Sequence, residues 1–186
     1  MSTSTTLTLV TGNEGKAREY SALLGIDVAA VKTDLEEIQE LDVVAVVRHK
    51  VTNAYSKLGT AVLVDDTGLT VDAWNGFPGA LIAWLLKARG VAGILEWAAT
   101  LTDRRTTVTT AIGYADAEGV RIFTGALHGT LATEPRGVNG FGYDSVFIPD
   151  GEKLTYAEMT PEYKNTISHR RLAVDELRKG LDLPVS

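Results

Sequence analysis

The chain has 186 residues, enough for one domain with a substantial core, and 45% hydrophobic with 23% charged residues is ordinary for a globular protein. The lack of cysteine excludes disulfides and cysteine-ligated zinc, and suits a reducing, cytoplasmic setting. A formal net charge of −6 argues against a general nucleic-acid surface, although a nucleoside triphosphate needs only a local cluster of cations.

The opening MSTSTTLTLVTG lacks the positive region and long apolar run of a secretory signal, so no leader is expected. No stretch approaches 18 uncharged apolar residues, so no membrane span is expected either. The run LTLV at 7–10 predicts a buried strand, and 15–24 predicts a helix after a tight turn. Between them lies TGNEGK, 11–16. A loop that leaves a strand and opens a helix aims free backbone N–H groups above the sheet, and Lys16 reaches the same place. The stretch lacks the glycine spacing and the following Ser or Thr of a Walker A loop. On these residues alone an ordinary turn is the simpler reading.

DVAAV at 27–31 predicts a second strand, followed by the acidic run DLEEIQELD at 34–42. Glu36 or Glu37 can complete a metal site there, although a charge run is more often a solvated face. From 43 to 58, Val44, Val47, Val51, Ala54, Tyr55 and Leu58 recur at helical spacing, with Lys50 on the flank of the stripe. TAVLVDD, 60–66, predicts a strand ending in two carboxylates, where open α/β sheets bind ligands. If the strand continues through them, Asp65 and Asp66 point to opposite sides. Magnesium prefers hard oxygen ligands and bridges carboxylate to phosphate.

GLTVDAW predicts a short strand, GFPGA at 76–80 a turn, and the next residues two helices, from 79 and over 91–99. Strand-like runs follow at 106–115, 120–131 and 143–148, the first two forming a hairpin around DAEG at 116–119. In NGFGYD, Phe141 or Tyr143 can stack on a flat base while Asp144 accepts from a ring N–H. A last helix is predicted over 168–178, with Lys164, Ser168, His169, Arg170 and Arg171 at its start. Cations there oppose the helix dipole, which makes an anionic partner attractive. Histidines only at 49, 128 and 169 argue against a histidine-rich zinc site. Early strand–helix alternation followed by a block of strands predicts a mixed α/β fold, with 1–186 as one domain.

Taken together, TGNxxK at 11–16, Lys50, DDTGL at 65–69, PGA at 78–80, FGYD at 141–144, Lys164 and SHR at 168–170 resemble the inosine/xanthosine triphosphate pyrophosphatase family. The resemblance implies an elongated mixed sheet flanked by helices, in two lobes with a central nucleotide cleft, normally as a homodimer. It implies hydrolysis of the α–β phosphoanhydride of ITP, dITP and XTP to monophosphate and pyrophosphate, with Mg²⁺. By position, Thr11, Asn13 and Lys16 would hold phosphate and Lys50 would reach the phosphate chain. Glu37 and Asp66, with Asp65 beside them, would form the metal site, and Asp66 would also activate or orient water. Phe141 would stack on the base and Tyr143 would wall the pocket. Asp144, Lys164, Ser168, His169 and Arg170 would read or enclose the 6-oxo purine. Ser145 stands where the family usually has proline, and ELDVVAVVRH at 40–49 is atypical before Lys50. Two rivals stand beside this reading: a pyrophosphatase of different base preference, and a catalytically silent nucleotide-binding protein.

Overall fold

A computed structural model describes residues 7–12 and 14–183. Asn13 therefore lies outside the described residues. The first strand, β1 (Leu7–Val10), leads into helix α1 (Glu14–Leu24) and then β2 (Val28–Val31). Helix α2 (Val43–Leu58) and the long strand β3 (Val62–Val71) follow. The two-residue β4 (Pro78–Gly79), helix α3 (Ile82–Ala98), and strands β5 (Arg105–Asp116), β6 (Gly119–Leu131) and β7 (Phe147–Pro149) come next. The chain closes with α4 (Pro161–Ile167) and α5 (His169–Gly180). The strands form one elongated mixed sheet of order β2-β1-β3-β5-β6-β7, with β4 paired to β3. β1 is parallel to both its neighbours, and every other pairing is antiparallel.

Helix α2 begins and ends where the sequence predicts. Asp42 caps it by accepting from the Val44 N–H at 2.9 Å, and Gly59 closes it in the left-handed region at φ 66°. Its buried stripe is Val43, Val46, Val47, Val51 and Ala54, so Val46 takes the inner place expected of Val44. The helix covers one sheet face through Val62, Val64, Ala111 and Ala115. Helices α1 and α5 cover the opposite face, where Tyr20, Leu24, Val174 and Leu177 pack on Leu9, Leu63 and Ile112. A third cluster, around Leu69, Ile82, Ile94, Phe147 and Tyr156, fills the end of the sheet under α3. Among the described residues no helix is long and apolar enough to cross a membrane.

Three expectations need correction. The strand predicted over 60–66 does not stop at its carboxylates: β5 pairs with it from Val62 to Val71, so DDTGL lies inside one strand and GLTV is its continuation. Tyr143 precedes a strand rather than opening one, because Gly137, Gly140 and Gly142 hold positive φ and keep that stretch a loop. The helix predicted over 168–178 is α5, but Lys164 does not stand at its start, because a separate helix, α4, precedes it. Ser168 sits extended at φ −68°, ψ 154°, ending α4 and capping α5, which places Lys164 on α4. The two helices expected around 79–99 are both present within α3, separated at Gly90, whose φ of 64° and ψ of −167° are not helical.

Helix α5 lies directly on β6 at Gly125, where an added Cβ would come within 2.2 Å of the His169 carbonyl oxygen and 2.3 Å of the Ala173 nitrogen. Both obstacles are backbone and cannot rotate away. Gly125→Ala is expected to destabilise the protein by about 1–3 kcal/mol, read as a lowered urea midpoint with unchanged slope.

Candidate active site

Alternation along β3 sorts the paired carboxylates. Val62, Val64 and Asp66 face α2, whereas Leu63 and Asp65 face α1 and α5. On the α2 side, Lys50 Nζ donates to Asp66 Oδ2 at 2.9 Å and to Glu37 Oε1 at 3.1 Å. The Thr67 N–H donates to Asp66 Oδ1 at 2.9 Å and fixes that carboxylate's orientation. Burial pushes the Asp66 carboxyl above the usual aspartate range, despite Lys50. Burial also works to raise Glu37, but it is more open, and Lys50 holds it below the usual range. Lys50 itself is raised, because Asp66 and Glu37 outweigh its desolvation.

On the other side, Lys16 Nζ donates to Asp65 Oδ1 at 2.9 Å, and Arg170 Nε lies 3.7 Å from Asp65 Oδ2. Arg170 Nη1 also donates to both Glu19 oxygens, at 3.1 and 3.0 Å. Burial would raise the Asp65 carboxyl, but Lys16 and Arg170 hold it below the usual range. Asp65 therefore serves the lysine–arginine network and does not face the Glu37–Asp66 pair. Thr11, just past β1, uses its N–H to bond the Val31 carbonyl at 2.9 Å.

The loop carrying FGYD meets α4 and α5 at the other end. Asp144 is buried, and its Oδ2 accepts from Lys164 Nζ at 2.6 Å and from the Phe141 N–H at 2.9 Å. Phe141 is 60% exposed, with Lys164 Nζ 5.4 Å from its ring centre. A cavity of about 170 Å³ is lined by Thr67, Leu86, Phe141, Tyr143, Asp144 and Lys164, with His169 and Arg170 at its wall. A neighbouring cavity of about 350 Å³ shares Phe141 and Lys164, and adds Arg18, Glu19, Asn139 and Tyr156. His169 is held neutral first by burial, then by Arg170 and Lys164, which push its pKa well below the ordinary value. Ser168 is the N-cap of α5, accepting from the Arg171 N–H at 3.1 Å.

Carboxylate–cation contacts thus flank β3 on both faces, and the aromatic-lined cavity meets the same strand at Thr67. The sequence profile of the Ham1 family matches residues 7–180. The chain belongs to the Ham1 family. It is 40% identical over 172 residues to the dITP/XTP pyrophosphatase of Pyrobaculum aerophilum, covering 91% of this chain and 92% of that protein. It is 38% identical over 188 residues to the inosine triphosphate pyrophosphatase of Candida glabrata, covering 95% and 97%. A solved HAM1 protein from Coxiella burnetii superposes with a TM-score of 0.85 at 30% identity, over 95% of this chain and 98% of that one.

Within this Ham1 fold, several residues that the motifs did not single out join the site. Glu19 pairs with Arg170, and Tyr20 buries its hydroxyl beside the Asp65 charge. Thr67 follows the two aspartates into the cavity, and Tyr156 stacks on His169. Of these, Thr67 was visible inside DDTGL, and Glu19 had a readable signal, being one helical turn from Lys16 on the same face. Tyr156 comes from a 3₁₀ turn whose sequence advertises a capping box, from Thr155 to Glu158, and nothing about a ligand. The atypical 40–49 segment is ordinary structure: Leu41 receives the Ala80 N–H at 2.9 Å and Asp42 caps α2. Ser145 likewise engages the loop through its carbonyl, which accepts from the Arg136 N–H at 2.9 Å.

Proposed function

We propose that this chain is a nucleoside triphosphate pyrophosphatase that hydrolyses the α–β phosphoanhydride of non-standard purine nucleotides, ITP, dITP and XTP. The products are a nucleoside monophosphate and pyrophosphate, and the effect is to clear such nucleotides from the pool. One nucleotide domain spans the whole chain in this reading. The observation that carries it is the convergence of Asp66, Glu37 and Lys50 at 2.9 and 3.1 Å, beside a cavity walled by an Asp144–Lys164 pair.

The carboxylates suit magnesium. Among the described residues no cage of three or more acidic or histidine ligands exists, and Mg²⁺ needs none, since it takes one or two carboxylates plus substrate phosphates. Glu37 and Asp66 already share one cationic partner, the Lys50 ammonium, so their oxygens converge on one cation-sized point. Mg²⁺ bound there would neutralise phosphate charge and polarise the phosphorus. The chain's own groups do the rest. Lys16, Lys50, Thr11 and Asn13 hold the phosphates, and Lys50 exchanges its carboxylate contacts for phosphate ones. Asp66, oriented by the Thr67 N–H, positions the attacking water and takes its proton.

At the base, Phe141 stacks on the purine, Asp144 accepts from N1–H and Lys164 donates to the 6-oxo group. Arg170, Ser168 and His169 support this wall rather than read the base edge: Arg170 through Glu19, Ser168 as the helix cap, His169 as a neutral spacer between tyrosines. A 6-amino purine would leave donors facing donors, a mismatch that binding sites of this kind discriminate strongly. The chain also pairs into a homodimer in this reading. Trp84 and Trp97, 60% and 45% exposed, give it apolar surface to cover, and sedimentation is expected to return about twice the 19.9 kDa chain mass.

Phosphorus NMR of products from ITP, XTP, dITP, GTP, ATP and dTTP, with Mg²⁺ or with EDTA, tests the reaction. Pyrophosphate and monophosphate from ITP, dITP and XTP, lost with EDTA, are expected. Orthophosphate with diphosphate would put the cleavage at the wrong bond. Equal kcat/KM for ATP or dTTP would overturn the base class, and tight ITP binding without turnover would make this a binding protein.

A further inference from the structure

The His169 imidazole lies between two phenols. Nε2 is 3.2 Å from the Tyr143 hydroxyl, and Nδ1 is 3.4 Å from the Tyr156 hydroxyl. The Tyr156 ring stacks on the imidazole with 5.9 Å between centres and 13° between planes, and Lys164 Nζ sits 5.0 Å from the centre of the same ring. The histidine is 4% exposed, Tyr156 fully buried and Tyr143 only slightly exposed. A neutral imidazole carries one proton, so one ring nitrogen donates and the other accepts.

Hydrogen accounting selects which. The Tyr156 hydroxyl is deep in the core, and His169 Nδ1 is the partner within its reach. Were the ring proton on Nδ1, the phenolic hydrogen of Tyr156 would lose that acceptor, a costly change for a buried hydroxyl. Tyr156 O–H therefore donates to Nδ1, and Nε2–H donates to the Tyr143 oxygen. The hydrogen of Tyr143 then cannot point at the histidine. That leaves it the side away from the ring, where Tyr143 lines the cavity together with Thr67.

We infer that Tyr156 is a positioning residue: by fixing His169 as the Nε2–H tautomer, it makes Tyr143 present a hydrogen-bond donor, not an acceptor, to the base. This rests on the base pocket proposed above. With Lys164 beside it, the wall becomes donor-rich, which suits the 6-oxo edge of hypoxanthine or xanthine. The opposite tautomer would turn a Tyr143 lone pair to the cavity and favour a 6-amino group. Selectivity would then depend on a tyrosine that does not line this cavity at all.

The direct test is a long-range ¹H–¹⁵N correlation spectrum of the full-length ¹⁵N-labelled protein. There are three histidines, and His49→Gln and His128→Gln leave the His169 signals assigned by elimination. A bare Nδ1 and protonated Nε2 are expected, and an Nδ1–H ring would overturn the inference. In kinetics, Tyr156→Phe is expected to narrow the ITP-to-ATP ratio of kcat/KM roughly tenfold. Tyr143→Phe should narrow it similarly and the double variant no further, because one residue acts through the other. Unchanged selectivity in Tyr156→Phe, or additive losses, would also overturn it. If Tyr156→Phe fails to fold, the wild-type spectrum and Tyr143→Phe still decide. Failure of the unchanged protein to hydrolyse ITP would refute the proposed function, while the tautomer spectrum would still report on Tyr156.

Discussion

Asp66→Asn is expected to lower kcat/KM for ITP by about 10²–10⁴ and to leave the folded state nearly as stable as wild type. The substitution keeps shape and removes charge. An asparagine oxygen can still accept from the Thr67 N–H, and Lys50 keeps Glu37 at 3.1 Å, so no buried cation is stranded. What disappears is the carboxylate that, in the proposed mechanism, would take a proton from water and supply one of two hard oxygen ligands. Steady-state kinetics at saturating Mg²⁺, with a urea melt alongside, measure both halves. Turnover within a few-fold of wild type would remove Asp66 from the mechanism.

Helix α2 and the β5–β6 hairpin were legible because burial there is periodic. Val47, Val51 and Ala54 mark one face of a 3.6-residue repeat, and the hairpin register from Arg105–Thr130 to Asp116–Gly119 closes on the predicted turn. The continuation of β3 past Asp66 was harder to read. Its polar residues look like an exit from the sheet, yet β5 supplies the ladder that keeps them extended, a long-range pairing no local pattern announces. The split between α4 and α5 turns on the backbone angles of one residue, Ser168, whose side chain caps the second helix. Site chemistry followed the same division. Lysines and carboxylates show themselves by type and order, whereas Glu19 meets Arg170 across 151 residues and Tyr156 meets His169 through tertiary packing.

One strand thus carries two adjacent aspartates with different duties, and substituting the other one should give the opposite result. Asp65→Asn is expected to destabilise the protein by about 3 kcal/mol, the lower end for breaking a buried ion pair. Asp65 has a side chain 2% exposed and Arg170 one 4% exposed, so neither can turn to water when its partner is lost. Glu19 still holds Arg170 at 3.0 Å and Lys16 is 21% exposed, which keep the loss from being larger. For a chain of this size that corresponds to a melting temperature lowered by roughly 6–12 °C. The pH dependence gives an independent check. Asp65 is held below the usual range, so its stabilisation is complete above the unfolded value of about 3.9 and fades as pH falls from there through the depressed folded value. The gap between wild type and Asp65→Asn should therefore be full at pH 7 and shrink in acid. Matched melts at pH 7 and below pH 4 would show it. Equal stability at pH 7 would mean that Lys16 and Arg170 are held by something other than Asp65.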